Sequence, residues 1–461
     1  MCNEYKSIAT GAALGILGAG LFYLAFCDKP EPASPPKKKV ASVALKEKKD
    51  LTKQNPVPKE LSLNESASGV FFGKHPNEHS GYIGKPAELD GHILVVGGPG
   101  SGKTSSIAEP TALTWKGSTI SLMIKGDHHR RIQKLQEEGR RVIVFDPSRL
   151  EENPTRYDVF SLLNRYPAER ISNASAIAAA LLPMPEETRE PIWIQAGQAF
   201  LTAAILYYNA LGCSFPEMIR AITTASIPQT IETILQSGYR DAAAFASRLS
   251  DIDTKLKDNV GFELVSLSTF RSPHIMTAFS ESADSNRLDW EELNHATEPL
   301  DIILLIPEAK IDLWAPMLTI MLEQMIRSLM NRPERTYSTQ EELPPLLISL
   351  DEFARLGKLP SITSGLATLR SRGCTLLLMV QCMSALDLIY GQDAAALIQA
   401  NCSFKIVLDV TEPKGQRYFS DLIGSTATMD MSTNSSANIG ASLPFSTHFP
   451  LTLSVEAKAS P

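Results

Sequence analysis

Cysteine is sparse along this chain and never closely paired. The six cysteines (Cys2, Cys27, Cys213, Cys374, Cys382 and Cys402) form no CxxC pair. A disulfide framework is therefore not indicated, and the main body reads as resident in a reducing cytosol. Cys374 and Cys382, separated by an apolar stretch, read as buried free thiols. An excess of basic charge is also missing. The formal net charge of -7 excludes a surface coated all over with phosphate-binding cations. It leaves room for DNA binding in a channel, where local charge decides. No basic-aromatic cluster stands out; Lys255, Lys257 and Arg271 are weak candidates for DNA contact beside the plainer reading of charges facing water.

Only one stretch reads as a membrane crossing. Residues 8–26 contain no charge, and as a helix they would span about 28 Å. Lys37, Lys38 and Lys39 follow, whereas only Glu4 and Lys6 precede, so the positive-inside rule keeps the long C-terminal part in the cytoplasm. A secretory signal peptide competes, but Phe26 is too bulky for the small residue expected before Cys27 at a lipoprotein cleavage site. Residues 1–27 are thus expected to be a membrane anchor and 28–65 a proline- and lysine-rich linker.

The 461 residues are enough to bury a full-sized core. Short apolar runs alternate with amphipathic stretches, the pattern of an α/β fold with a parallel sheet covered by helices. Strands are predicted at 93–96, 118–124, 142–145, 302–306, 346–350, 375–380 and 404–408, near-continuous apolar runs suited to burial on both faces. The alternation stops between 167 and 295, which reads as an all-helical domain inserted between two halves of a nucleotide-binding domain, 66–166 and 296–425. Residues 426–461 read as a polar tail.

The motif with the clearest chemistry is Gly97-Gly98-Pro99-Gly100-Ser101-Gly102-Lys103-Thr104, directly after the apolar run Ile93-Leu94-Val95-Val96. It fits the P-loop pattern G-x-x-x-x-G-K-[ST]. Glycines let backbone amides wrap a phosphate at the positive end of the next helix, which Ser105 opens. Lys103 would meet the β- and γ-phosphates of ATP, and Thr104 would ligate Mg²⁺. The apolar run 346–350 ends in Asp351-Glu352: Asp351 would hold Mg²⁺ and Glu352 would polarise the attacking water. Gln381, at the tip of the run 375–380, could touch the γ-phosphate and report hydrolysis.

The order of these motifs resembles the type IV coupling protein family, membrane-anchored relatives of RecA-like hexameric DNA pumps. Leu350-Asp351-Glu352-Phe353 with Leu356-Gly357-Lys358-Leu359-Pro360, then Val380-Gln381, Tyr390-Gly391, Ala400-Asn401-Cys402 and the stretch 419–424 carry the resemblance, with Val144-Phe145-Asp146-Pro147 upstream. The resemblance implies a RecA-like P-loop NTPase fold with a mostly parallel sheet, an inserted helical domain and a membrane anchor. It also implies a homo-hexamer that passes single-stranded DNA with its bound relaxase to the inner-membrane components of a type IV secretion channel. An arginine shared between subunits is implied as well, and Arg370 fits its placement best, with Arg372 the near alternative. The chain departs from the family at Met123-Ile124-Lys125-Gly126-Asp127, where a first acid is lost, and in showing one membrane helix rather than two. Two other functions stay open: a membrane receptor that docks protein cargo with little ATP turnover, and a duplex-DNA segregation pump.

Overall fold

The computed structural model describes residues 58–423, apart from 65, 76–80, 125–127, 185–190, 251–259, 262–263, 281–286 and 336–342. The apolar run 8–26, most of the expected linker, Lys125-Gly126-Asp127, Lys255, Lys257 and the tail 426–461 lie outside the described residues. Among the described residues no helix is long and apolar enough to cross a membrane.

The described chain opens with an antiparallel sheet of β1 (Ser62–Leu63), β2 (Gly69–Lys74) and β3 (Tyr82–Pro86), in the order β1-β3-β2. Residues 59–63, expected to be linker, are therefore a 3₁₀ turn and a strand. The small sheet is pinned to the main body by Lys85. Its buried Nζ donates to Thr375 Oγ1 (2.9 Å) and Pro86 O (3.2 Å), and burial pushes its pKa down to about 8.

The seven apolar runs form one sheet. In chain order its strands begin with β4 (Ile93–Gly97), β5 (Ser118–Met123) and β6 (Arg141–Phe145). A parallel pair of two-residue strands, β7 (Arg156–Tyr157) and β8 (Arg287–Leu288), then brackets the helical segment. The main sheet resumes with β9 (Leu300–Leu305), β10 (Leu346–Leu350), β11 (Cys374–Val380) and β12 (Phe404–Asp409). Its order is β12-β4-β11-β10-β5-β9-β6, and every neighbouring pair is parallel. All residues of β4, β5, β9, β10 and β11 are buried, which is why they read as unbroken apolar runs rather than alternating ones.

Helices cover the sheet and make up most of the segment between β7 and β8. In chain order they are α1 (Glu109–Thr114), α2 (His128–Glu137), α3 (Ser161–Arg165), α4 (Arg170–Leu181), α5 (Ile192–Ala210), α6 (Phe215–Thr224), α7 (Ile227–Gln236), α8 (Arg240–Ser250), α9 (Pro273–Ala278), α10 (Ala315–Leu329), α11 (Ile362–Ser371), α12 (Met383–Tyr390), α13 (Gln392–Asn401) and α14 (Pro413–Ile423). Helix α5 is the spine of the helical segment, buried at Phe200, Leu201, Ile205 and Leu206. Helices α6 and α7 each start at a capping box, Ser214 with Glu217 and Ser226 with Gln229, satisfying amides that have no intrahelical partner. The segment 167–295 is mostly helical, but it contains strand β8 near its end, before a 3₁₀ turn at Trp290–Asn294, so it is not helical throughout. Tyr157 ties its neck to the sheet domain: its hydroxyl donates to Gln324 Oε1 (2.6 Å) and accepts from Trp290 Nε1 (3.0 Å).

Candidate functional site

The P-loop and both acids meet at one edge of the sheet. Register pairs Val96 of β4 with Val380 of β11, and Leu378 of β11 with Leu350 of β10. The C-terminal tips of these three adjacent strands therefore lie close together, β10 ending two residues short of β11, and the residues that follow them share the crevice where parallel sheets bind ligands. A carbon added at Gly97 would come within 2.4 Å of Ser101 Oγ, so the loop closes only around glycine there. Gly102 takes φ +89°, a left-handed turn that other residues adopt with strain. The chain then enters a π-helical run, Lys103–Ala108, before α1, with the Glu109 amide reaching back to Thr104 O. Single π turns inside helices recur at functional sites.

The loop holds its own cation. Buried Lys103 donates from Nζ to Gly97 O (2.6 Å) and Gly98 O (3.2 Å). One of its three protons is left for a phosphate oxygen. Ser101 Oγ is buried and has no hydrogen-bond partner among the described residues, a donor that a phosphate oxygen would satisfy. Ser105 is exposed at the start of the helix.

Thr104 Oγ1 donates to Asp351 Oδ2 across 2.9 Å. This brings together the two oxygens predicted to hold Mg²⁺. A hydroxyl and a carboxylate are hard-oxygen ligands, and Mg²⁺ takes few of them from protein because water and phosphate fill the rest of its shell. The donor set therefore fits the ion. Among the described residues no cluster of three or more His, Cys, Asp or Glu could form a dedicated metal cage, which a Mg²⁺ shared with phosphates does not need. The other Asp351 oxygen accepts from the Glu352 amide at 2.9 Å.

Glu352 is the one non-glycine residue among those described with positive φ, at 51°. Such a conformation costs on the order of 1–3 kcal/mol and persists where surrounding structure imposes it. Here the imposed turn points the carboxylate at the neighbouring strand tip, where Gln381 Nε2 donates to Glu352 Oε2 at 2.8 Å.

Arg370 lies elsewhere. It is exposed in the last turn of α11, which leads into the start of β11, whereas Gln381 follows the strand's end. At about 3.3 Å per residue the seven residues of β11 separate Arg370 from its own P-loop edge by roughly 20 Å. Arg372, the alternative, is tied down: it donates to the Arg332 carbonyl and faces Glu334 at 3.9 Å.

Residues 38–444 match the family described as type IV secretory system conjugative DNA transfer. The chain belongs to this family. Protein VirD4 of Rhizobium radiobacter is 23% identical over 351 residues, covering 72% of this chain and 48% of VirD4. Conjugal transfer protein TraG of Escherichia coli is 23% identical over 420 residues, covering 82% of this chain and 64% of TraG. This member of the conjugative DNA transfer family thus spans about half the length of the VirD4 relative. Among solved structures, plasmid coupling protein TrwB in complex with the non-hydrolysable ATP analogue ADPNP aligns at TM-score 0.57 and 18% identity, over 75% of this chain and 78% of TrwB. TrwB with ADP and Mg²⁺ aligns at TM-score 0.53. At that identity the likeness shows the fold, a RecA-like α/β sheet.

The family chain carries two site features that sequence reasoning missed. Asp409, at the end of β12, accepts from the Gly98 amide through its carbonyl at 3.2 Å, and its carboxylate would lie 3.5 Å from a carbon added at Gly98. The signal was available, since the run 404–408 ends in an acid. The second is β2 lying along the P-loop helix, for which the short, glycine-containing strand gave no sign. Cys374 and Cys402 are buried free thiols, with pKa pushed up by burial to about 11 and about 12. Cys382, expected to be buried, is only half-buried, because it lies just past the end of β11, outside the core.

Proposed function

We propose that this chain is an ATP-hydrolysing coupling protein that recruits single-stranded DNA with its bound relaxase and drives the DNA into a type IV secretion channel. In this reading it works as a homo-hexamer, anchored in the inner membrane by residues 8–26 with its main body cytoplasmic. The observation that carries the reading is the chain of contacts from Thr104 through Asp351 and Glu352 to Gln381, spanning the tips of three strands. Family membership supports it, as does the plasmid coupling protein TrwB, whose structures hold an ATP analogue and ADP with Mg²⁺.

Each residue then has a task. The loop Gly97-Gly98-Pro99-Gly100-Ser101-Gly102 wraps the phosphates with backbone amides, and Lys103 and Ser105 add side-chain donors. Thr104 and Asp351 would hold Mg²⁺, which when bound offsets charge on the β- and γ-phosphate oxygens. Glu352 takes the proton of the water that attacks the γ-phosphorus, as the bond to the β-γ bridging oxygen breaks and ADP leaves. Gln381 orients that carboxylate. Arg370, too far from its own P-loop, reaches the nucleotide of the neighbouring subunit and stabilises charge as the γ-phosphoryl group transfers. The segment 167–295 acts as the inserted domain that reads the DNA-protein substrate.

The test is ATP hydrolysis by the full chain, with and without single-stranded DNA, over a range of protein concentration. The expected rate rises with DNA and more than linearly with protein, and Lys103→Ala abolishes it. Undiminished turnover in Lys103→Ala would overturn the P-loop assignment.

A further inference from the structure

A cleft of about 400 Å³ opens beside the P-loop helix, between that helix and the N-terminal antiparallel sheet. Its size lies in the range of small-ligand sites. From the sheet come Phe71, Gly73, Lys74 and Tyr82; from the helix come Ser106, Pro110 and, at its far end, Thr114. The rings of Phe71 and Tyr82 meet edge to face, 5.4 Å between centroids. Phe71 is buried, whereas Tyr82 is half-buried and Ser106 exposed toward the cleft.

The cleft is continuous with the phosphate loop. Ser106 Oγ lies 2.9 Å from the position of a carbon added at Gly102, and the Ser106 amide bonds Gly102 O at 2.8 Å. The same serine thus touches the loop turn and lines the cleft. At 1.5 Å per residue, Ser106 and Pro110 stand about 3 and 9 Å along the helix beyond Thr104. That is the reach of a ribose and base hung from a triphosphate held at Lys103 and Thr104. The lining also suits a base: an aromatic pair and a proline offer flat apolar surface, a hydroxyl can pair with a ring nitrogen or exocyclic amine, and Lys74 stands at the rim.

We infer that this cleft is the nucleobase subsite of the bound nucleotide, with Tyr82 its stacking partner and the small N-terminal sheet its wall. The inference rests on the nucleotide-binding reading of the P-loop. Its consequence is that the sheet formed by β1–β3 is part of the nucleotide site.

Gly73 offers a clean way to block the cleft. A carbon added there meets nothing within 4 Å, and its φ lies outside the left-handed region, so the backbone accepts a side chain there and Gly73→Leu directs one from the cleft lining. Tyr82→Ala removes the stacking ring instead. Binding of ATP and of inorganic tripolyphosphate, each with Mg²⁺, is measured on the full-length wild type and both variants. The expected result is ATP affinity reduced about tenfold or more in each variant, with tripolyphosphate affinity unchanged. ATP affinity equal to wild type in both variants would overturn the subsite. Equal weakening of both ligands would overturn it too, since the cleft would then act only by shaping the loop. A wild type that bound neither ligand would overturn the P-loop reading itself, and this inference with it.

Discussion

Gln381 donates a 2.8 Å hydrogen bond to the carboxylate of Glu352, joining the tips of β11 and β10. In the proposed function this bond orients the acid that would take the proton from water. Glu352→Gln should keep ATP binding and lower turnover by about 10²–10⁴-fold, the usual weight of a positioned general base. Gln381→Ala should lower turnover less, because the carboxylate survives but is no longer oriented. The double variant should be no slower than Glu352→Gln alone, since residues acting as a unit are not additive. Additive losses in single-turnover assays would separate the two roles.

The left-handed backbone of Glu352 makes a second, independent prediction. Glycine adopts φ near 51° without a Cβ penalty. Glu352→Gly should therefore raise stability by about 1 kcal/mol while abolishing turnover, which denaturant unfolding and ATPase assays read separately. Stability lost on this substitution would mean that the side-chain bond to Gln381 outweighs the relief of strain.

Arg370 stands roughly 20 Å from its own P-loop edge by strand length, on an exposed helix end. Arg370→Ala should leave ATP affinity of the isolated chain unchanged and remove only the part of hydrolysis that grows faster than protein concentration. Mixing Arg370→Ala with Glu352→Gln chains should restore part of the rate, because some interfaces then combine an intact Glu352 with an intact Arg370. Normal concentration-dependent turnover by Arg370→Ala alone would remove it from the site and turn attention to Arg372.

The five inner strands were legible because burial on both faces writes each as an apolar run, the edge strands β6 and β12 because they keep a short apolar stretch although partly exposed, and the P-loop and acid pair because their chemistry fixes residue type and spacing. What escaped notice depends on three-dimensional neighbours. Strands β1 to β3 are short, and β2 and β3 contain glycines needed for close approach: a carbon on Gly69 or Gly84 would meet the backbone oxygen of Lys85 or Val70 at 2.5 and 2.4 Å. Their composition therefore resembles a loop. The backbone twist of Glu352 has no residue-type signature, because glutamate is not a residue that favours it. The hydrogen bond between Glu352 and Gln381 follows from sheet order, which separates them by no strand although they stand 29 positions apart in the chain.

His92 gives the fold a measurable pH response. It precedes β4, fully buried: Nε2 faces Leu366 O at 2.7 Å and Nδ1 accepts from the Leu376 amide at 3.0 Å. An acceptor at Nδ1 requires the neutral tautomer with its proton on Nε2. Burial pushes its pKa down to about 4; the Leu366 carbonyl opposes that shift, while Lys85 and Arg370 add to it. In the unfolded chain the same imidazole takes a proton near pH 6.5. The unfolded state therefore binds more protons between these values, and stability falls as pH falls. The contribution is complete above about pH 6.5 and declines by about 3 kcal/mol on the way to pH 4. His92→Gln has no proton to take up. It should be less stable than wild type at pH 7.5, and the gap should narrow by that amount as pH is lowered through the window. Denaturant unfolding of both proteins at half-unit steps measures it. A gap that stays constant with pH would show that the buried ring accepts a proton as readily as the free one, and that the packing around Leu366 and Leu376 opens on protonation.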